Sequence, residues 1–390
     1  MVHSRRRLLY LTLLLTLTLM GLLLMGSSPR LAYADGGAPN LAYVAGASQG
    51  LSIIDIATQK VTKNVALKGD PHTVLLSVDG ANLFVTLPQS NQVAVLDTHD
   101  GHTLCTASVP GQPTLLAYDL NTKLIYSGGN GTGGVREIDP KNCQVIRTLA
   151  TDGPVYGLAM AYVSDPQSDT VGNQLWISSE HDVIVYDLKQ HKRLASIPVD
   201  GGPQYLSNPP GATTYVTTRA GDIMTIDLVS HKVTKILSDG SYGPMDFDET
   251  TGEMYVPDRG TNRLLVLNPV HGGFALPKEP NRVISLEEHP QSVAITSDGQ
   301  FAFIALASGK VVMYDVPGRQ PINTLTVGGS PQFIITGLYP PALTQAVNAS
   351  PDSLLTIVNI VAYVLIVCLL LGLLFIFLRS RKKAEPHKKG

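Results

Sequence analysis

Residues 69–104 read GDPHTVLLSVDGANLFVTLPQSNQVAVLDTHDGHTL, and this stretch decides the fold. Pro71 opens an apolar run, Asp79-Gly80 turns the chain, and "LFVT" follows. A polar turn leads to "VAVL", and Asp97 begins a last turn before another β-rich run. Short runs of Val, Leu and Phe bounded by turn residues read as strands, and the gaps between them leave no room for a helix.

The phrase recurs six more times. Its opening appears at Pro71, Pro113 ("GQPTLL"), Pro154 ("DGPVYG"), Pro203 ("GGPQYL"), Pro244 ("YGPMDF"), Pro290 ("EHPQSV") and Pro331 ("GSPQFI"), at spacings of 42, 41, 49, 41, 46 and 41 residues. A second landmark lies between them: "LAYV" at Leu41, "LFVT" at Leu83, "LIYS" at Leu124, "LWIS" at Leu175, "TYVT" at Thr214, "MYVP" at Met254 and "FAFI" at Phe301. A third is an acid or its amide after an apolar run, at Asp55, Asp97, Asp139, Asp187, Asp227, Asn268 and Asp315. Three landmarks in phase, a period near 40 and four strands per unit predict an all-β chain, a seven-bladed β-propeller with four-stranded blades. The first unit enters at its second strand, and the last ends with a surplus Pro-led strand, "PQFIITG". Gln332–Gly337 is therefore expected to supply the innermost strand of the blade begun by Leu41, joining the two ends of the repeat array and removing two open edges.

"TYVTTRAGDIMTIDLVSHKVTKIL" and "LFVTLPQSNQVAVLDTHDGHTL" resemble the YVTN-repeat family of seven-bladed propellers, and the resemblance spans roughly 41–340. It implies the scaffold and its blade boundaries. It implies no particular activity, because propellers of this kind serve many functions.

The landmarks have structural work to do. Proline lacks the donor a central ladder needs, so it belongs at a strand's start. The recurring aspartate suits an Asx-turn. His99, His191 and His231 fall in the outer turns and read as polar turn residues. "GNGTGG", 129–134, matches the spacing of a dinucleotide fingerprint, but it leads into the strand "VREID" where a helix N-terminus is required, so it reads as a Gly-rich loop. "DFDETTGE", 246–253, reads as a solvated turn rather than a Ca²⁺ loop. The sequons at Asn130 and Asn348 count only in a eukaryotic host.

The residues after the seven prolines are His72, Thr114, Val155, Gln204, Met245, Gln291 and Gln332. They are expected to ring one mouth of the central channel. One imidazole, one hydroxyl and three amides suit hydrogen bonding to a neutral ligand or water. They do not make the cluster of titratable groups that a metal or acid–base centre needs. The candidate ligand-binding residues are thus His72, Thr114, Gln204, Gln291 and Gln332. Loops between second and third strands open on the same face and carry Gln89, Asn91, Asn130, His181, Arg219, Asp258, Arg259 and Arg263, of which His181, Arg219, Asp258, Arg259 and Arg263 are the candidate recognition set. No catalytic residue, metal ligand or cofactor is assigned.

The ends read as targeting segments. "MVHSRRR" is basic, Leu8 to Met25 is apolar, and "LAYAD" offers a cleavage point after Ala34, so 1–34 reads as an export signal. The long apolar run also fits an uncleaved anchor, and "SRRRLL" also fits a twin-arginine signal. Residues 354–378 carry no charge and suffice to span about 30 Å of hydrocarbon. The tail 379–390 holds six Lys and Arg against Glu385, which places it in the cytoplasm and the propeller, 35–340, outside, joined by a linker at 341–353.

The formal charge of −2 hides a division: Asp35–Ser353 holds 19 Lys and Arg against 30 Asp and Glu, a net −11. Such a domain repels phosphate backbones, which excludes nucleic acid as a partner. Of three cysteines, Cys368 lies in the span; Cys105 and Cys143 form neither a disulfide framework nor a metal-ligand spacing. The reading is a cell-membrane, single-pass protein whose propeller binds an extracellular protein, glycan or small ligand. The alternative is a propeller enzyme, a lactonase-like hydrolase or electron-transfer dehydrogenase subunit, which requires a converging Glu, His and Arg set or metal ligands in the channel.

Overall fold

The computed structural model describes residues 41–98, 100–131, 133–165, 170–209, 211–270 and 277–337. Over these residues the chain forms seven sheets of four antiparallel strands, one for each repeat. Blade 1 holds Leu41–Ala47, Gly50–Asp55 and Lys60–Ala66, with Phe333–Thr336 as its innermost strand. Blades 2 to 7 run outward in chain order from Val74–Leu76, Pro113–Tyr118, Gly157–Asp165, Pro203–Ser207, Asp246–Phe247 and Pro290–Ile295. Each proline phrase therefore opens an innermost strand, as the repeat predicts.

Burial explains the composition of each position. Middle strands such as Asn82–Leu87 and Gln92–Asp97 are buried residue after residue, because neighbouring blades cover both faces. Outermost strands such as Lys60–Ala66 and Lys192–Pro198 alternate between exposed and covered residues. Their lysines, facing water along an open edge, discourage pairing with another chain. The apolar clusters lie between blades. Phe84, Val93 and Val95 of blade 2 pack with Leu116, Ile125 and Ile138 of blade 3, and Trp176, Val183 and Val185 of blade 4 pack with Val216, Met224 and Ile226 of blade 5.

The recurring aspartate is a turn former. Asp55 Oδ1 accepts the Thr58 N–H at 2.7 Å, Asp187 Oδ1 those of Lys189 and Gln190 at 2.8 Å, and Asp227 Oδ1 those of Val229 and Ser230 at 3.1 and 2.7 Å. His191 and His231 take the left-handed position in these turns, at φ of 52° and 57°. The two irregular spacings also have a source. The 49-residue unit carries the long first hairpin Gly157–Asp165 with Thr170–Ser178, and the 46-residue unit has its extra chain between Leu267 and Arg282.

Two expectations are corrected. Cys105, on the outermost strand of blade 2, is disulfide-bonded to Cys143, in the last turn of blade 3, with Cα atoms 6.0 Å apart. Their separation of 38 residues is close to one repeat, and residues one repeat apart are neighbours across adjacent blades. The acidic run 246–253 is not simply solvated: Asp246 and Asp248 are buried. Asp248 is consumed by its own turn, accepting from the Thr250 N–H and from the Thr250 and Thr251 hydroxyls at 2.7–2.8 Å.

Among the described residues no helix is long and apolar enough to cross a membrane. The signal at 1–34, the linker and the span at 354–378 lie outside the described residues, as does His99.

Candidate functional site

Where the innermost strands of blades 2 to 5 begin, their side chains enclose a cavity of about 220 Å³. That is far more than the roughly 30 Å³ share of one water. His72, Thr114, Asn130, Tyr156, Gln204, Tyr205 and Arg219 line it, with Leu115 and Val155 as its apolar wall. A second space of about 30 Å³ shares His72, Thr114, Leu115 and Tyr205 with the first and adds Leu116, Leu158, Leu206, Met245 and Phe333 to the wall. The residues that the second space adds are mostly apolar.

The network around His72 fixes its state. Thr73 Oγ1 donates its one hydrogen to the Thr114 carbonyl at 2.6 Å, so toward His72 it can only accept. Its contact with His72 Nδ1, at 3.1 Å, is therefore an Nδ1–H donation, and the neutral ring keeps its lone pair on Nε2. Burial holds the His72 pKa below the ordinary histidine value, and the Arg259 charge pushes it the same way against the opposing pull of Asp70 and of a hydrogen bond with the Thr114 backbone. His72 at neutral pH is thus an uncharged acceptor.

Two arginines from loops between second and third strands reach over this mouth. Arg219 of blade 5 lies 4.0 Å above the Tyr156 ring of blade 4 and donates to the Glu180 carbonyl at 2.6 Å, with the Glu180 carboxylate 3.6 Å away. Arg259 of blade 6 lies 5.4 Å from the Tyr205 ring centre of blade 5. It donates to the Tyr205 hydroxyl at 3.1 Å and the Gln291 carbonyl at 3.2 Å. Each cation lies within 6 Å of the centre of an aromatic ring of the preceding blade, a favourable electrostatic contact.

The structure brings together three of the five ring residues, His72, Thr114 and Gln204. Gln291 and Gln332 line neither cavity. The Gln332 amide turns back on its own chain, donating to the Ser330 carbonyl and hydroxyl at 3.1 and 3.0 Å. Of the recognition set, Arg219 joins the ring and Arg259 touches its rim. Asp258 is buried in its own turn, accepting from Thr261 at 2.6 Å and Arg263 at 2.9 Å, so this pair shapes the loop. Asn91 ties two blades, its Oδ1 accepting from the Gly111 and Gln112 N–H groups at 3.2 and 2.9 Å. His181 and Gln89 are exposed. Among the described residues no three His, Cys, Asp or Glu side chains stand close enough to hold a metal ion.

The residues missed from sequence are Tyr156 and Tyr205. Both stand two places after a proline, in "PVYG" and "PQYL", one place beyond the residues assigned to the ring.

No protein-family model and no curated protein matches this chain. Solved structures do. The periplasmic gluconolactonase of Pseudomonas aeruginosa superposes with a TM-score of 0.59 at 16% identity, over 75% of this chain and 98% of that one. Hydrazine synthase of Kuenenia stuttgartiensis gives 0.57 at 15%, over 70% and 91%. The β-propeller domain of Cps50 from Myceliophteria thermophila gives 0.57 at 14%, over 69% and 90%. At such identities the likeness establishes the propeller and nothing of its activity.

Proposed function

We propose that this chain is an exported, membrane-tethered propeller of the YVTN-repeat kind that binds a small molecule at the channel mouth. One observation carries the binding reading: seven polar or aromatic residues from four successive blades converge on a single 220 Å³ cavity. A concave pocket with a few placed polar groups is the usual form of a small-ligand site. The targeting half rests on the sequence, with an apolar run at each end and the basic tail after 354–378. The Cys105–Cys143 bond suits an oxidising, extracytoplasmic compartment.

Two experiments test this. A metabolite library screened by thermal shift should yield ligands whose stabilisation weakens in His72→Ala and Gln204→Ala chains, at roughly 1–3 kcal/mol of binding each. Hits indifferent to both changes would place binding elsewhere. Protease added to intact cells should digest the propeller and spare a C-terminal tag; loss of the tag alone would reverse the topology.

A second reading is supported by the convergence of His72 with Arg219 in the pocket and Arg259 at its rim. A neutral imidazole can take a proton from water while guanidinium groups hold developing negative charge on a carbonyl oxygen. That is the equipment of a lactone hydrolase, and one structural neighbour is a gluconolactonase. Opening of glucono-δ-lactone by the wild-type chain, lost in His72→Ala, would favour the enzyme; rates equal to buffer would favour the binding module.

A further inference from the structure

Charge is distributed against the average at the mouth. The stretch 35–353 carries a net −11, yet Arg219 lines the cavity and Arg259 stands at its rim, bonded to the lining residue Tyr205. The nearby carboxylates are accounted for. Glu180 answers Arg219, Asp258 answers Arg263, and Asp70 is exposed on the turn before His72. Arg259 is different. Its described partners are a carbonyl and a phenol oxygen, both uncharged, and among the described residues no carboxylate forms an ion pair with it.

The arrangement recurs. Tyr156 and Tyr205 occupy the same repeat position in blades 4 and 5, and Arg219 and Arg259 occupy the same loop position in blades 5 and 6. Counted five places from the same strand landmark, the other blades hold Gly46, Pro88, Gly129, Glu180 and Leu306 there. Two successive blades thus set a guanidinium beside a tyrosine ring of the blade before, 4.0 Å from the ring centre for Arg219 and 5.4 Å for Arg259. A guanidinium has five N–H donors, and Arg259 spends two on the protein. The remainder form a pre-oriented fork that matches a carboxylate.

We propose that the mouth is a receptor for a small monocarboxylate, with Arg259 as its anion partner and Gln204, Asn130 and Thr114 binding the rest of the molecule. This rests on the small-ligand reading above. With His72 neutral and Arg219 offset by Glu180, Arg259 supplies the remaining cation, and exposed Asp70, which acts on His72 against it, keeps the local positive charge to one at most; that suits one carboxylate better than a phosphate dianion. Leu115 and Val155 supply an apolar wall for the carbon skeleton.

The test is calorimetry on the full-length chain in detergent, using size-matched acids and amides: gluconate with gluconamide, and benzoate with benzamide. At least one acid should bind ten-fold or more tighter than its amide, with that preference shrinking as salt rises. Arg259→Gln should erase the preference, and Arg259→Lys should keep part of it, since charge remains and the fork is lost. A melting curve checks that each variant is folded. On the wild-type chain, NMR titration of the His72 ring should show its pKa raised by the bound acid and unmoved by the amide. Equal binding of acid and amide, still sensitive to His72→Ala, would overturn the carboxylate and leave the small-ligand pocket standing. Binding of inorganic phosphate with no acid binding would likewise overturn it. So would no binding by any probe at millimolar concentration, and that last result would count against the pocket as well.

Discussion

Asp246 sits on the two-residue innermost strand of blade 6, its Oδ2 accepting the Ile295 N–H of blade 7 at 2.7 Å. Burial pushes its carboxyl up to about 7 from 3.8, and nearby Asp248 adds to the rise against the pull of the backbone N–H groups. A raised carboxylate pKa has a definite sign in stability. The protonated form is the one the fold accepts, so its contribution is complete below 3.8 and is lost as pH rises toward 7. At about 1.4 kcal/mol per pH unit the loss is on the order of a few kcal/mol. Asp246→Asn keeps an oxygen for Ile295 and cannot ionise. Its melting temperature should exceed that of the wild type at pH 8 and match it near pH 4; parallel curves across that range would dismiss the account. Little of this was legible beforehand. "DFDETTGE" looks like a hydrophilic turn, and only the third dimension shows that its first aspartate belongs to a strand facing the next blade. Tyr156 and Tyr205 escaped for a related reason: a repeat marks equivalent positions plainly, yet not which of two adjacent residues the channel wall will use.

At the scale of elements the repeat was an accurate guide, because each strand's composition answers to its place in the blade. Inner openings need Pro, middle strands need continuous apolar residues, and third-strand ends need Asp to turn the chain. The disulfide was hidden because sequence spacing near one repeat becomes proximity only once blades stand side by side. It closes a loop of 38 residues between the outermost elements of blades 2 and 3, where fewer apolar contacts hold the strands. Loop entropy predicts a stabilisation of about 3–4 kcal/mol. Cys105→Ser with Cys143→Ser should therefore lower the melting temperature by several degrees, and added reductant should do the same to the wild type and nothing to the double variant. Reductant acting equally on both chains would mean that the bond contributes nothing to the fold.

A propeller is a ring, and a ring can fail at its seam. Here the seam is Phe333–Thr336, which pairs antiparallel with Leu41–Ala47 through Ala42↔Thr336, Tyr43↔Ile335, Val44↔Ile334 and Ala45↔Phe333. The strand's two faces do separate work. Ile334, buried, packs with Phe303 and Met313 of blade 7, while Ile335, buried, packs with Leu76 and Val85 of blade 2. Thr336 adds a hydroxyl bond to the Ile295 carbonyl at 2.7 Å. Removing the strand thus opens three interfaces: the sheet edge of blade 1 and the apolar contacts on both sides. Each buried isoleucine cut to alanine should cost about 2–5 kcal/mol, and either loss is a large share of a domain's net stability. Replacing Gln332–Gly337 with a Gly/Ser linker of equal length, which keeps the chain continuous, should abolish cooperative melting rather than trim its midpoint. The decisive complement is a synthetic peptide of sequence SPQFIITGL supplied in trans. A free strand can fill an open sheet edge, so the peptide should restore a cooperative transition in the linker variant and leave the wild type unchanged. A linker variant that melts cooperatively at the wild-type temperature without peptide would show that the ring does not depend on its last strand.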